Sequence, residues 1–386
     1  MADATETTAK GAKALAAIDA ASLPPAVQRL LDPKGPAPLR TMAAKGVAPG
    51  LKPHEALTAV AMLAEGDLGP IRDAAQATLD NLPPALLAGA LTPSLDPAVL
   101  HIVAARAAKN AAVMERVLAL PQISLDSLVE AAARASEAVS ELIATNEERL
   151  LKNPAIIEKL YMNPATRMST ADRILELAVR NKVELKGIPA YAEAAAAIMN
   201  ELIVEPQDEP SFDDILFREA EELAESLANV DPNDLHEVDE ATGEEIVAQK
   251  GADLSKKIDQ FTVSQKIRKA MLGNATDRAL LVRDKNRLVA QAAIKSPKIQ
   301  EMEVARISAS RSVSEDVLRT IANSREWTSS HQIKLNLVSN PRTPFVFVSK
   351  LIPFLREHEL KALAKSKNVP GAVATLARQQ LSRKQP

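Results

Sequence analysis

Ala293-Ile294-Lys295-Ser296-Pro297-Lys298-Ile299 returns 14 residues later as Ile307-Ser308-Ala309-Ser310-Arg311-Ser312-Val313, and after another 14 as Ile321-Ala322-Asn323-Ser324-Arg325-Glu326-Trp327. Looser echoes follow at Leu337-Val338-Ser339-Asn340-Pro341-Arg342-Thr343 and Leu363-Ala364-Lys365-Ser366-Lys367-Asn368-Val369. Amphipathic pieces such as Val317–Ile321 and Ile333–Leu337 lie between the copies. A helix of about ten residues and a turn of about four account for the spacing. Two such helices make a hairpin of about 28 residues, which cannot bury its apolar face unaided, so successive hairpins must stack. The echo therefore predicts an all-α chain.

Composition agrees. Of 386 residues, 46% are hydrophobic but only 2% are aromatic, with one Trp (Trp327) and two Tyr (Tyr161, Tyr191). The apolar mass is Ala, Leu, Val and Ile, of which Ala and Leu favour helices, whereas a sheet protein draws more on aromatic and β-branched residues. With no cysteine, disulfides, thiolate metal sites and cysteine nucleophiles are excluded, and a reducing cytoplasm fits. The start, Met1-Ala2-Asp3-Ala4-Thr5-Glu6, lacks the basic and apolar signature of a signal peptide. No run approaches the roughly 18 apolar residues of a membrane span. The expectation is a soluble, cytoplasmic protein, with an Ala-rich bias of bacterial type.

In the first half, proline marks helix starts. Pro24-Pro25, Pro53, Pro70, Pro83-Pro84 and Pro97 each precede or open a short apolar segment, the position where a missing N–H costs least. The segment Asp67-Leu68-Gly69-Pro70-Ile71-Arg72-Asp73-Ala74-Ala75-Gln76-Ala77-Thr78-Leu79 resembles the second helix of a HEAT-like repeat, through Asp67, Pro70, Ile71, Arg72, Ala75 and Leu79. Lys152-Asn153-Pro154-Ala155-Ile156-Ile157 and Met162-Asn163-Pro164-Ala165-Thr166 are similar to the Asn-Pro turns of leucine-rich-repeat-variant solenoids, with Asn capping the helix start. The cluster-binding cysteines of some such proteins are absent, so no cluster is implied. Asn340-Pro341-Arg342-Thr343-Pro344 with the tail Lys365–Gly371 resembles helical-repeat proteins of soil-dwelling deltaproteobacteria, a likeness that implies architecture alone. Together these resemblances imply a HEAT-like α-solenoid of short helix hairpins in two blocks.

The net charge of −3 conceals an asymmetry. Residues 1–204 carry 20 Lys and Arg against 23 Asp and Glu, a balance of −3. Residues 205–253 carry 2 against 17, a balance of −15, and residues 254–386 carry 25 against 10, a balance of +15. The chain divides into an N-terminal helical domain (1–204), an acidic connector (205–261) and a basic C-terminal helical domain (262–386). Like-charge density and prolines argue against a packed core through most of the connector. Its segment 211–228 differs: Phe212, Leu216, Ala220, Leu223 and Leu227 share one helical face. That helix either packs on a neighbouring domain or docks, through Phe212, Leu216, Leu223 and Leu227, in a partner's groove.

Signs of chemistry are few. His54, His101, His236, His331 and His358 are far apart, and His358-Glu359-Leu360-Lys361-Ala362 lacks the second histidine of HExxH. There is no GxSxG, Walker loop or GxGxxG. The expectation is no enzyme, no catalytic residue, no metal and no cofactor. Basic residues recur at equivalent turn positions: Lys295, Arg311, Arg325, Arg342 and Lys365, with Lys298 and Lys367 nearby. If equivalent turns line up, these form a positive ridge. Three readings remain: a solvated edge, a site for an acidic protein partner or the chain's own connector, or a seat for duplex phosphates. Trp327 aligns with Val313 and Ile299 and is expected in the core. The function expected is a scaffold or adaptor that binds protein partners, with duplex nucleic acid as the alternative and the oligomeric state open.

Overall fold

A computed structural model of the chain describes residues 18, 23–199, 209–238, 245–366 and 368–384. Among these residues the fold is all-helical apart from one short antiparallel pair, His236–Val238 with Glu245–Val247, in which His236 faces Val247. None of the helices is long and apolar enough to cross a membrane. The chain divides into two compact units, Met1–Gly187 and Ile188–Pro386.

In the first unit, Pro25–Leu31, Pro53–Gly66, Pro70–Asp80, Pro84–Gly89 and Pro97–Arg106 all begin on proline. Gly69, at φ +65°, turns the chain into Pro70–Asp80 by a left-handed conformation that only glycine adopts cheaply. Further on, side-chain caps take over: Asn110 accepts from the Val113 N–H, Ser124 from Ser127 and Asn146 from Arg149. Pro53–Gly66 lies on its neighbour Pro70–Asp80, and from Pro97 onward packing skips one or two helices. Pro97–Arg106 lies on Leu125–Ala132, which lies on Ala155–Tyr161, while Ala111–Leu118 lies on Glu137–Ala144. Leu100, Val103, Leu128, Ile156, Ile157 and Leu160 fill the spaces between them.

The second unit packs in the same way. Val263–Leu272 lies on Arg287–Ile294, which lies on Glu315–Asn323, and Glu301–Ala309 lies on His331–Ser339. Tyr191–Ile198, which the charge division assigns to the N-terminal block, belongs to this unit and packs on both Val263–Leu272 and Arg287–Ile294. Residues 199–262 thus stand between two helices that are neighbours. Trp327 is half-buried in the 3₁₀ turn Trp327–Ser329, as its counterpart Ile299 is, whereas Val313 is enclosed.

The 14-residue echo has a physical origin in its turns. Its fourth residue is always Ser or Asn, and four of the five accept a hydrogen bond from the N–H two residues on. These are Ser296 from Lys298, Ser310 from Ser312, Asn340 from Arg342 and Ser366 from Asn368. This local bond closes the turn without help from the ladder. The asparagines also reach further. Asn340 Nδ2 donates to the Ser308 and Ser310 carbonyls at 2.9 and 2.7 Å. In the first unit Asn163 accepts from Ala165 N–H and donates to the Ala132 and Ala135 carbonyls at 3.0 and 2.8 Å. Asn163 therefore closes a turn five residues ahead of Met168–Arg180 and does not cap a helix start as expected. Its amide is committed to the preceding turn.

Both asparagines are buried, so removing either side chain leaves two carbonyls without a donor. Asn163→Ala and Asn340→Ala should each lower stability by about 2–3 kcal/mol. Asn368→Ala, at an exposed position, should stay within about 0.5 kcal/mol. Urea unfolding midpoints for the three variants would test this, and equal midpoints would sink it.

Candidate functional site

The basic turn residues separate into two groups. Arg342 reaches the Ser312 and Val313 carbonyls at 3.4 and 3.5 Å, and Arg283 Nε donates to Ser312 Oγ at 2.9 Å. The turns carrying Arg283, Arg311 and Arg342 thus touch in succession. Lys295 and Lys298 sit on a different series: Ser296 Oγ and Lys298 Nζ donate to the carbonyls of Met271 and Leu272. Arg325 follows Glu315–Asn323, at the far end of that helix from Arg311, about 13 Å away along the axis. Turns 28 residues apart meet, and turns 14 residues apart lie at opposite helix ends. Arg283, Arg311 and Arg342 thus lie on one series of touching turns, and Lys295 and Lys298 lie on another.

Their surroundings also differ. Arg311, Arg325, Arg342, Lys298 and Lys365 are exposed, whereas Lys295 is half-buried and paired with Glu193 at 2.6 Å. Lys367 lies outside the described residues. Long cationic side chains on turns have the charge and reach to meet carboxylates or phosphates.

The acidic connector forms a second feature. Ser211 and Asp214 form a capping box that starts Phe212–Ser226. The helix buries Leu216, Phe217, Ala220 and Ala224, leaves Leu223 and Leu227 half-buried and exposes Phe212. Phe217 stacks on Phe261 with centroids 5.5 Å apart, beneath the Arg268 guanidinium at 5.8 Å and the Lys269 ammonium at 5.4 Å. At the helix end Asn274 Nδ2 donates to the Ala224 carbonyl at 2.8 Å. Lys257 pairs with Glu219 at 2.5 Å and Arg306 with Asp231 at 3.4 Å. Within 209–238 and 245–261, then, the connector is an ordered part of the second unit, and its apolar face is spent on its own chain.

Beneath it lies a buried set of charges that sequence reading missed. Lys269 and Asp277, both almost wholly enclosed, pair at 3.5 Å, and Arg278 grips Glu303 through two bonds of 2.8 Å. Burial pushes the Asp277 carboxyl up to about 6, against the lowering pull of Lys269 and the Asn274 N–H. Its Oδ1 has no hydrogen-bond partner among the described residues. Gly273 is required there, because a Cβ would come within 2.3 Å of Asp277 Oδ2 and 2.6 Å of the Lys269 carbonyl. The available signal was Asn274-Ala275-Thr276-Asp277, a capping box after a helix; Arg268-Lys269 gave no hint of burial.

One cluster in the first unit has the residue types of a catalytic relay. His101 Nδ1 lies 2.7 Å from Ser127 Oγ, and its Nε2 lies 3.4 Å from Glu130. Ser127 is buried and its hydroxyl also contacts Ser124 Oγ at 2.6 Å. A nucleophile must reach its substrate, and this hydroxyl is enclosed. The trio ties Pro97–Arg106 to Leu125–Ala132.

Asp277 yields a pH signature. Folding raises its pKa from 3.8 to about 6, so between those values the folded state keeps a proton that the unfolded chain has released. Stability from this group should fall as pH rises from about 4 to about 6, by up to about 1.4 kcal/mol per unit, and level off above. Asp277→Asn should remove that decline, read from urea midpoints across the same range; parallel profiles for the two proteins would contradict it. No protein-family model matches the chain, and neither a curated protein nor a solved structure matches it.

Proposed function

We propose that the chain is a HEAT-like α-solenoid acting as a non-enzymatic cytoplasmic scaffold or adaptor, which binds acidic protein partners along its basic turns. The observation that carries this reading is the recurrence of side-chain bonds between residues about 28 apart. Arg283 to Ser312, Thr320 to Gln291 and His331 to Glu359 join successive turns or helices across 29, 29 and 28 residues. Asn163 to Ala135 does so in the first unit across 28. Stacked hairpins of that length offer long surfaces suited to partner binding. Arg311 and Arg342, on touching turns and both exposed, supply cations at regular intervals along one such surface.

Duplex nucleic acid is the second reading, favoured by the same pair of adjacent cations. Its seat would be phosphates alone, since base stacking needs exposed aromatics along the row.

Full-length protein and an Arg311→Glu/Arg325→Glu/Arg342→Glu variant, each used as bait in lysate of the native cell, separate the readings. A discrete protein held at moderate salt by the parent should bind the variant at least about tenfold more weakly, as reversal of rim charges predicts. Equal capture by both would overturn the basic-turn site. A duplex shift that fades steeply with salt, in the absence of any protein partner, would favour nucleic acid.

A further inference from the structure

The second unit exposes two apolar surfaces of opposite charge setting. The first is on the connector helix, Phe212–Ser226. Its buried face is spent, yet Phe212 and Ile215 stand 71% and 47% exposed. They share a face with Glu222 and with Glu219, which Lys257 already pairs, at spacings of 3, 4 and 3. The second is formed by Phe345–Leu351 and the 3₁₀ turn Ile352–Phe354 that follows it. Here Phe345, Val346 and Phe354 are 49%, 61% and 66% exposed. Lys334 lies 5.7 Å over the Phe354 ring and Lys350 lies 5.8 Å over Phe347.

Large apolar side chains grouped on a surface mark contact sites. What these two fit is indicated by a contact already inside the unit. There, a phenylalanine of the acidic helix, Phe217, lies against another phenylalanine, Phe261, under a lysine and an arginine of the basic segment. The patch at Phe345–Phe354 has parts of the same kind, aromatics under two cations, and lacks the acidic helix with its phenylalanine. The outward face of Phe212–Ser226 supplies both. The exposed Glu222 of the first surface and the lysines Lys334 and Lys350 of the second are of opposite charge.

We propose that the chain self-associates head to tail, with the Phe212/Ile215 face of one copy seated on the Phe345/Val346/Phe354 face of the next. Donor and receiver are different surfaces, so the contact is heterologous. Each copy added leaves a fresh receiver, and association continues beyond a dimer unless the rotation closes a ring. Ion pairing at the rim makes it sensitive to salt. This inference rests on the two apolar faces and not on the scaffold reading; a monomeric chain that still captures its acidic partner would sink this one alone.

Sedimentation velocity of the full-length chain tests it. In low salt, from about 1 to about 100 μM, the parent should grow past dimer, and about 0.5 M salt should return it to monomer. Phe212→Asp and Phe354→Asp should each remain monomeric alone. Mixed at equal amounts they should form a dimer and stop, since one retains the receiver and the other the donor. Both sites are exposed, and thermal melts would verify folding; Phe212→Ser and Phe354→Ser replace any variant that melts early. A parent that stays monomeric, oligomers that survive either substitution, or a mixture that stays monomeric would each overturn the proposal. So would a closed dimer abolished by one substitution and untouched by the other.

Discussion

Everything in this architecture depends on how a short helix ends. Helices of eight or nine residues have few internal hydrogen bonds and are not stable alone, so each must be stopped cleanly and held against a neighbour. A Ser or Asn at the turn does the first by accepting an N–H two residues ahead. Where it is Asn, as at 163 and 340, the amide does the second by binding two carbonyls of an earlier turn. These bonds are buried and therefore costly to lose. They set which turn lies on which, and the apolar packing of Val, Leu and Ile follows that order.

The acidic connector is the main departure from this regularity. It leaves after Tyr191–Ile198 and returns at Val263–Leu272, two helices that pack together. The place it interrupts is where charge enters the interior: Arg268, Lys269, Asp277, Arg278 and Glu303 are all buried. Breaking such pairs costs much more than forming them gains. Asp277 is short of one hydrogen bond, and Gly273 leaves it the room that a Cβ would take.

The same region links structure to the proposed roles. By using its inner face on Phe261, Arg268 and Lys269, the connector helix keeps a strongly acidic segment against a basic unit and leaves Phe212 and Ile215 outward. The basic turns, meanwhile, keep Arg311, Arg325 and Arg342 exposed. Both surfaces present exposed side chains: aromatic and aliphatic on the connector helix, cationic on the turns.

How much of this was legible in the sequence varies with the range of the interaction. Helical class, proline-led starts, the 14-residue period and the charge division all depend on neighbours a few residues apart, and all could be read from residues such as Pro97, Ser310 and Asn340. The face of the connector helix was also visible, displaced by about one position: Leu216 and Ala220 are buried as expected, while Phe217 replaces Phe212 in the interior. A heptad pattern cannot decide which of two adjacent apolar residues faces a partner without knowing where the partner stands. The same limit applies to the turns. Their period showed that Arg311, Arg325 and Arg342 are equivalent, but a 14-residue step reverses the chain, so only packing places Arg342 beside Arg311 and Arg325 at the opposite end. Burial of Lys269 and Asp277 was unreadable for a related reason: a charge looks solvated in sequence until tertiary structure brings a helix down over it.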